Sequence, residues 1–168
     1  MIRLFSAAVV LLTATACVTD PGVSHDVAYC CGPPGTVLTT YSLTLTAVPG
    51  FLVPQLRGEL VAALAARGLR PTDVSPDALV TLSYSETYPD ADRPFVNDGF
   101  ADPLATGGQR QFDARVTLDI RRAADGADVL RGVLSREHTV SVGEYNHDKA
   151  RRAIRGGFDV LLKRLPKA

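Results

Sequence analysis

The chain has 168 residues, with 18 Lys and Arg against 18 Asp and Glu and therefore a formal net charge of zero. That balance speaks against a dedicated nucleic-acid binder, whose domain is usually distinctly basic. With 46% hydrophobic and 21% charged residues, it is too apolar to be disordered throughout, and its length suggests one domain. The three Cys and three His form no zinc-binding spacing, so no metal or cofactor is expected.

Residues 1–16, MIRLFSAAVVLLTATA, have a basic Arg3 followed by the apolar run Leu4 to Leu12 and then small residues. This is the anatomy of a signal peptide, and the run is short of the roughly 20 apolar residues that cross a bilayer. Ala14-Thr15-Ala16-Cys17 resembles a bacterial lipobox, in which small residues admit the cleavage site and the Cys17 thiol takes the lipid. Ordinary secretory cleavage is the alternative, because Ala14 and Ala16 also satisfy the small-x-small rule. Val18, where inner-membrane retention is associated with aspartate, favours the outer membrane and its periplasmic side. The expected partners are thus the membrane, through the lipid anchor, and an unknown envelope component.

Residues 17–35 contain Pro21, Pro33 and Pro34 with little apolar periodicity, and are expected to be a flexible tether. Within it Cys30 and Cys31 are adjacent. In an oxidising compartment they are expected to form either a vicinal disulfide or a link to a second chain. The two residues that separate the cysteines of the usual redox motif are missing. His25, also in this segment, is expected in solvent.

Residues 36–168 are expected to form one α+β domain. Val37, Thr39, Tyr41, Leu43, Leu45 and Ala47 alternate as the inward face of a first strand. Pro54 starts a helix whose stripe is Leu56, Leu60, Ala63 and Leu64, and Gly68 stops it. Ala78, Val80, Leu82 and Tyr84 mark a second inward strand face. Residues 87–108 lack periodicity and carry Tyr88, Phe95 and Phe100 among prolines and acids. A loop of this length is either disordered or functional, and its aromatics suit partner contact.

Phe112, Ala114, Val116, Leu118 and Ile120 then alternate strictly with polar residues, and Asp125-Gly126 marks a hairpin turn. A fourth strand, about Val129 to Val142, turns Leu130, Leu134, Val140 and Val142 inward together with Arg136 and His138. Asn146 can cap a last helix with the stripe Ala150, Ile154, Phe158, Leu161, Leu162 and Leu165, and Pro166 ends it. The order strand-helix-strand-strand-strand-helix closes as a two-layer sandwich, with a mainly antiparallel four-stranded sheet and two helices on one face.

The run LVAALAARGLRPTDVSPDALVTLSYS resembles the helix, glycine and Pro-Asp-led strand of short bacterial lipoproteins grouped as domain of unknown function 4136. ARVTLDIRRAADGADVLRG and FDVLLKRLP are similar to the hairpin and closing helix of that domain, although Leu130 stands where its members often carry Trp. The resemblance covers about Thr36 to Pro166. It implies an envelope lipoprotein with an α+β sandwich and assigns no catalytic residues.

Glu144, His147 and Asp148 have an acid-base look, but Asp148 in a first helical turn also answers the helix dipole. Arg136 and His138 suit either a pocket lining or the end of a sheet. Lys149, Arg151, Arg152, Arg155, Lys163 and Arg164 lie off the apolar stripe of the last helix, where Arg151, Arg152 and Arg155 are candidates for an anionic partner and a solvated helix surface is the alternative. No hydrolase elbow, phosphate loop or zincin pair occurs. The expected function is a non-enzymatic, lipid-anchored binding or accessory module. The alternative is a periplasmic hydrolase or metal-dependent enzyme using His138 or His147. The strand pattern is testable: Val116→Asp should cost several kcal/mol in a chemical melt because it buries a charge, whereas Thr117→Asp, on the opposite face, should change stability little.

Overall fold

A computed structural model describes residues 23–29, 37–88, 110–140 and 147–167 of the chain. The elements are β1 (Val23–Tyr29), β2 (Thr40–Thr46), α1 (Val53–Ala65), β3 (Arg70–Pro71), β4 (Ala78–Thr87), β5 (Arg110–Arg122), β6 (Asp128–Val140) and α2 (His147–Leu162). The strands form one sheet in the order β1-β6-β5-β4-β2-β3. The α+β character and the two helices agree with expectation, but the sheet is six-stranded and mixed.

Both added strands lie at sheet edges. Residues 23–29 lie within the expected tether, yet they pair antiparallel with β6 from Val23↔Arg136 to Tyr29↔Arg131. Pairing satisfies the backbone groups that β6 would otherwise expose along its edge, and Val27 packs against the core. His25 in the same strand is exposed, as expected. Cys17, Cys30 and Cys31 lie outside the described residues. At the other edge, β3 adds two residues parallel to β2.

The mixed character comes from β2, which pairs parallel with β4 over Tyr41↔Ala78 to Thr46↔Ser83, with α1 as the crossover. Asp77 sets where that pairing starts. Its Oδ2 accepts the Thr39 and Thr40 backbone N–H groups at 2.9 and 3.0 Å and the Thr39 hydroxyl at 2.7 Å. The Asp77 N–H donates back to the Thr40 hydroxyl at 3.0 Å. These bonds, led by the Thr39 hydroxyl, hold the Asp77 carboxyl down at about 2. They also correct the first strand's pattern: before Thr40 the alternation shifts, so Val37 is exposed and Leu38 is buried.

Helix α1 ends as its sequence indicates. Gly68 adopts φ 89°, and the Gly68 and Leu69 N–H groups bond to the Ala65 and Leu64 carbonyls. At the β5–β6 turn Gly126 adopts φ 70°, while the Asp125 carboxylate takes the Ala127 N–H and pairs with Arg122. The antiparallel β4–β5–β6 meander puts Val80, Leu82, Leu118, Ile120, Leu130 and Leu134 under the helices. From the helices come Leu56, Leu60, Leu64, Phe158, Leu161 and Leu162, each at most 1% exposed. Burial of such side chains is worth about 1.5–3 kcal/mol each. Val140 and Val142, expected inward on β6, have no described side chains.

Helix α1 has one buried charged residue, Glu59. Its two oxygens accept Arg151 Nε at 2.6 Å and Arg155 Nε at 2.8 Å, one turn apart on α2. Burial pushes this carboxyl up, but the two arginines outweigh it and hold the group below its usual range. Helix α2 in turn sits close to β6. A Cβ on Gly157 would come within 2.7 Å of Leu134, and one on Gly132 within 2.7 Å of Leu161. Gly156, next along the helix, faces open space. Gly156→Ala is therefore expected to stabilise by about 0.5–1 kcal/mol through helix propensity. Gly157→Ala should be the less stable of the two by about 1 kcal/mol, because its Cβ has to displace the Leu134 methyl groups; denaturant melts of the two variants give the comparison.

Candidate functional site

Sheet and helices part at one end of the domain around a cavity of about 260 Å³. Strands β2 and β4 finish at this end, β5 begins there, β6 finishes there, and both helices begin there. The space exists because side-chain size changes along the helices. The second half of α2 fills the core with Phe158, Leu161 and Leu162, whereas its first turns face the cavity with Ala150, Ala153 and Ile154. Leu56 on α1 and Leu52 just before it close the cavity, and Ala114, Val116 and Leu134 form its floor on the sheet.

Polar groups gather near the strand ends. Glu86 on β4 accepts the Tyr84 hydroxyl on one carboxylate oxygen and the Tyr88 hydroxyl on the other, each at 2.7 Å. The Tyr88 bond, then the Tyr84 bond, hold the Glu86 carboxyl below its usual range. Phe112 on β5 faces its cross-strand partner His138, with ring centroids 4.9 Å apart and planes within 12°. The Tyr88 ring lies 5.9 Å from Phe112 on its other side. Burial pushes His138 below the usual histidine value, Arg136 adds to that effect, and the Glu86 charge opposes it.

The structure thus brings together Arg136, His138 and Tyr88 from the residues singled out by sequence. Phe95, Phe100 and Glu144 lie outside the described residues. His147 is the first residue of α2, and Asp148 after it is exposed. Arg151 and Arg155 are not simply an outward basic face, since their guanidinium groups clamp Glu59 while remaining 64% and 56% exposed. Arg152 between them is exposed. Among the described residues, no group of three His, Cys, Asp or Glu side chains is placed to hold a metal ion, and no helix is long and apolar enough to cross a membrane.

Sequence reasoning did not find the cavity itself, Glu86, or Phe51, which precedes α1 and lines the cavity. A partial signal was present, because Tyr84, Arg136 and His138 interrupt the inward apolar faces at one end of the sheet, and Ala114, Ala150 and Ala153 are small.

No family model matches the chain, and no curated protein does. Solved structures do. The PelC dodecamer from Paraburkholderia phytofirmans is 10% identical, with a TM-score of 0.53 over 87% of this chain and 99% of that one. A point variant of PelC gives 11% identity and a TM-score of 0.48, over 83% and 96%. A minor lipoprotein from Acinetobacter baumannii is 18% identical with a TM-score of 0.39, over 79% of this chain and 100% of that one. At 10% identity the likeness to PelC is one of fold.

The electrostatics around His138 can be tested by sign. Its folded-state value lies below the unfolded one of about 6.5, so its contribution to stability is complete above that pH and declines as pH falls from there toward the folded value. In an NMR titration, Arg136→Gln should move His138 up toward the ordinary value, and Glu86→Gln should move it further down.

Proposed function

We propose that the protein is an envelope lipoprotein, anchored through Cys17 at the periplasmic side of the outer membrane, that works as a non-enzymatic binding or accessory module. The observation that carries the binding role is the apolar cavity at the sheet end. Its lining is aliphatic and aromatic, in keeping with a site that holds a ligand. Both Glu86 oxygens accept phenol hydroxyls, and the His138 ring is stacked on Phe112 with its charged form disfavoured.

The anchor has its own support in the sequence, where Cys17 follows a short apolar run and the small residues Ala14 to Ala16. Cys17→Ser should move the protein from the membrane to the soluble periplasmic fraction and abolish labelling by a clickable fatty acid. Wild-type protein that is soluble and unlabelled would show that ordinary secretory cleavage operates instead.

A further inference from the structure

Strand β1 starts beside the cavity, for its first residue Val23 pairs with Arg136, and Arg136 is part of the cavity lining. Cys17 stands six residues before Val23, a distance of chain that spans at most about 20 Å when fully extended. A lipid on Cys17 therefore keeps this end of the domain close to the bilayer surface. The same end carries the exposed aromatics. Phe51, in the cavity lining, is 79% exposed, and Tyr88, bonded to the lining residue Glu86, is 46% exposed. Exposed aromatics suit the boundary between headgroups and hydrocarbon. Arg152, exposed on the second turn of α2, suits an anionic headgroup layer.

Most of the lining is hydrocarbon, offered by Leu52, Leu56, Val116, Leu134 and Ile154, while Glu86, Ser135, Arg136 and His138 supply its polar side chains. At about 260 Å³ the cavity exceeds an apolar cavity of about 150 Å³ that takes a benzene. It also falls below the roughly 300–1,000 Å³ of sites that enclose larger ligands, which matches one chain better than two. We propose that this cavity takes the acyl chain of a free single-chain membrane lipid, which enters past Phe51 from the bilayer to which the domain is tethered. The anchor's own chains are a poorer occupant, since a chain withdrawn into the protein no longer holds it to the membrane. The proposal deepens the binding reading above, and it uses the anchor only to say which surface the cavity meets.

The test uses the mature chain from residue 17 carrying Cys17→Ser, with saturated fatty acids of increasing length competing against the fluorescent cis-parinaric acid below their critical micelle concentrations. Affinity should rise about fourfold per methylene and then level off when the cavity is full. Ala153→Leu and Ala114→Leu, which fill the space, should weaken binding at least tenfold and bring the plateau to shorter chains, with melting temperatures kept or raised. An absence of binding overturns the proposal, as does an affinity that climbs without a plateau and equally in both variants. If delipidated, purified wild-type protein still carrying its anchor refuses the probe that Cys17→Ser protein accepts, the occupant is the anchor and the free-lipid assignment falls. A plateau that moves to shorter chains in the variants, together with a wild-type protein that takes no fatty-acid label, supports the acyl site while overturning the anchor.

Discussion

The arrangement of the helical layer depends on Glu59. A carboxylate buried on α1 would be costly alone, but two arginines from successive turns of α2 meet its two oxygens. Their guanidinium groups remain largely in water, so only one partner of the cluster loses most of its hydration. Geometry matters more than strength here: a carboxylate held by two fixed donors sets how the helices lie against each other along their length. On the far side of this clamp, leucines and Phe158 fill the space between helices and sheet. On the near side, alanines leave it open.

That opening falls where the topology gathers its functional potential. Because β2 and β4 are parallel, both finish at the same end, and α1 begins beside them. The antiparallel meander then returns β6 to that end, where β1 begins along its edge. The cavity, the Tyr84–Glu86–Tyr88 contacts, the Phe112–His138 stack and the start of the described chain therefore share one side of the domain. At the opposite end, short bonds hold the connections, with Asp77 tying the starts of β2 and β4 and Gly126 turning β5 into β6. Loop and strand ends gathered on a rigid scaffold are a common place for binding.

Much of this was legible in the sequence. The alternations on β4 and β5, the Leu56-to-Leu64 stripe, Gly68, Asp125-Gly126 and the Phe158-to-Leu165 stripe each announce a local structure through side-chain period or backbone freedom. Less legible was β1, since seven residues between prolines and glycines become a strand only when a long partner leaves an unpaired edge. Glu59 was equally hidden: at a helical position next to Leu60 it looks like any charged residue until α2 brings Arg151 and Arg155 to it. The same contact changes the meaning of the basic helix face, because two of its charges meet a buried carboxylate.

By itself the sequence determined the element types, the inward faces of the central strands and the residue at which an anchor could be attached, because these follow from periodicity and from chemistry local to a few residues. Tertiary structure alone decided that β2 runs parallel to β4, that six strands share the sheet, that Glu59 is neutralised from another helix, and that a cavity separates Ala150 and Ala153 from Ala114. Each of these depends on residues far apart in the chain. A hydrophobic pattern says which face is buried but not what is packed against it, or how much space is left between.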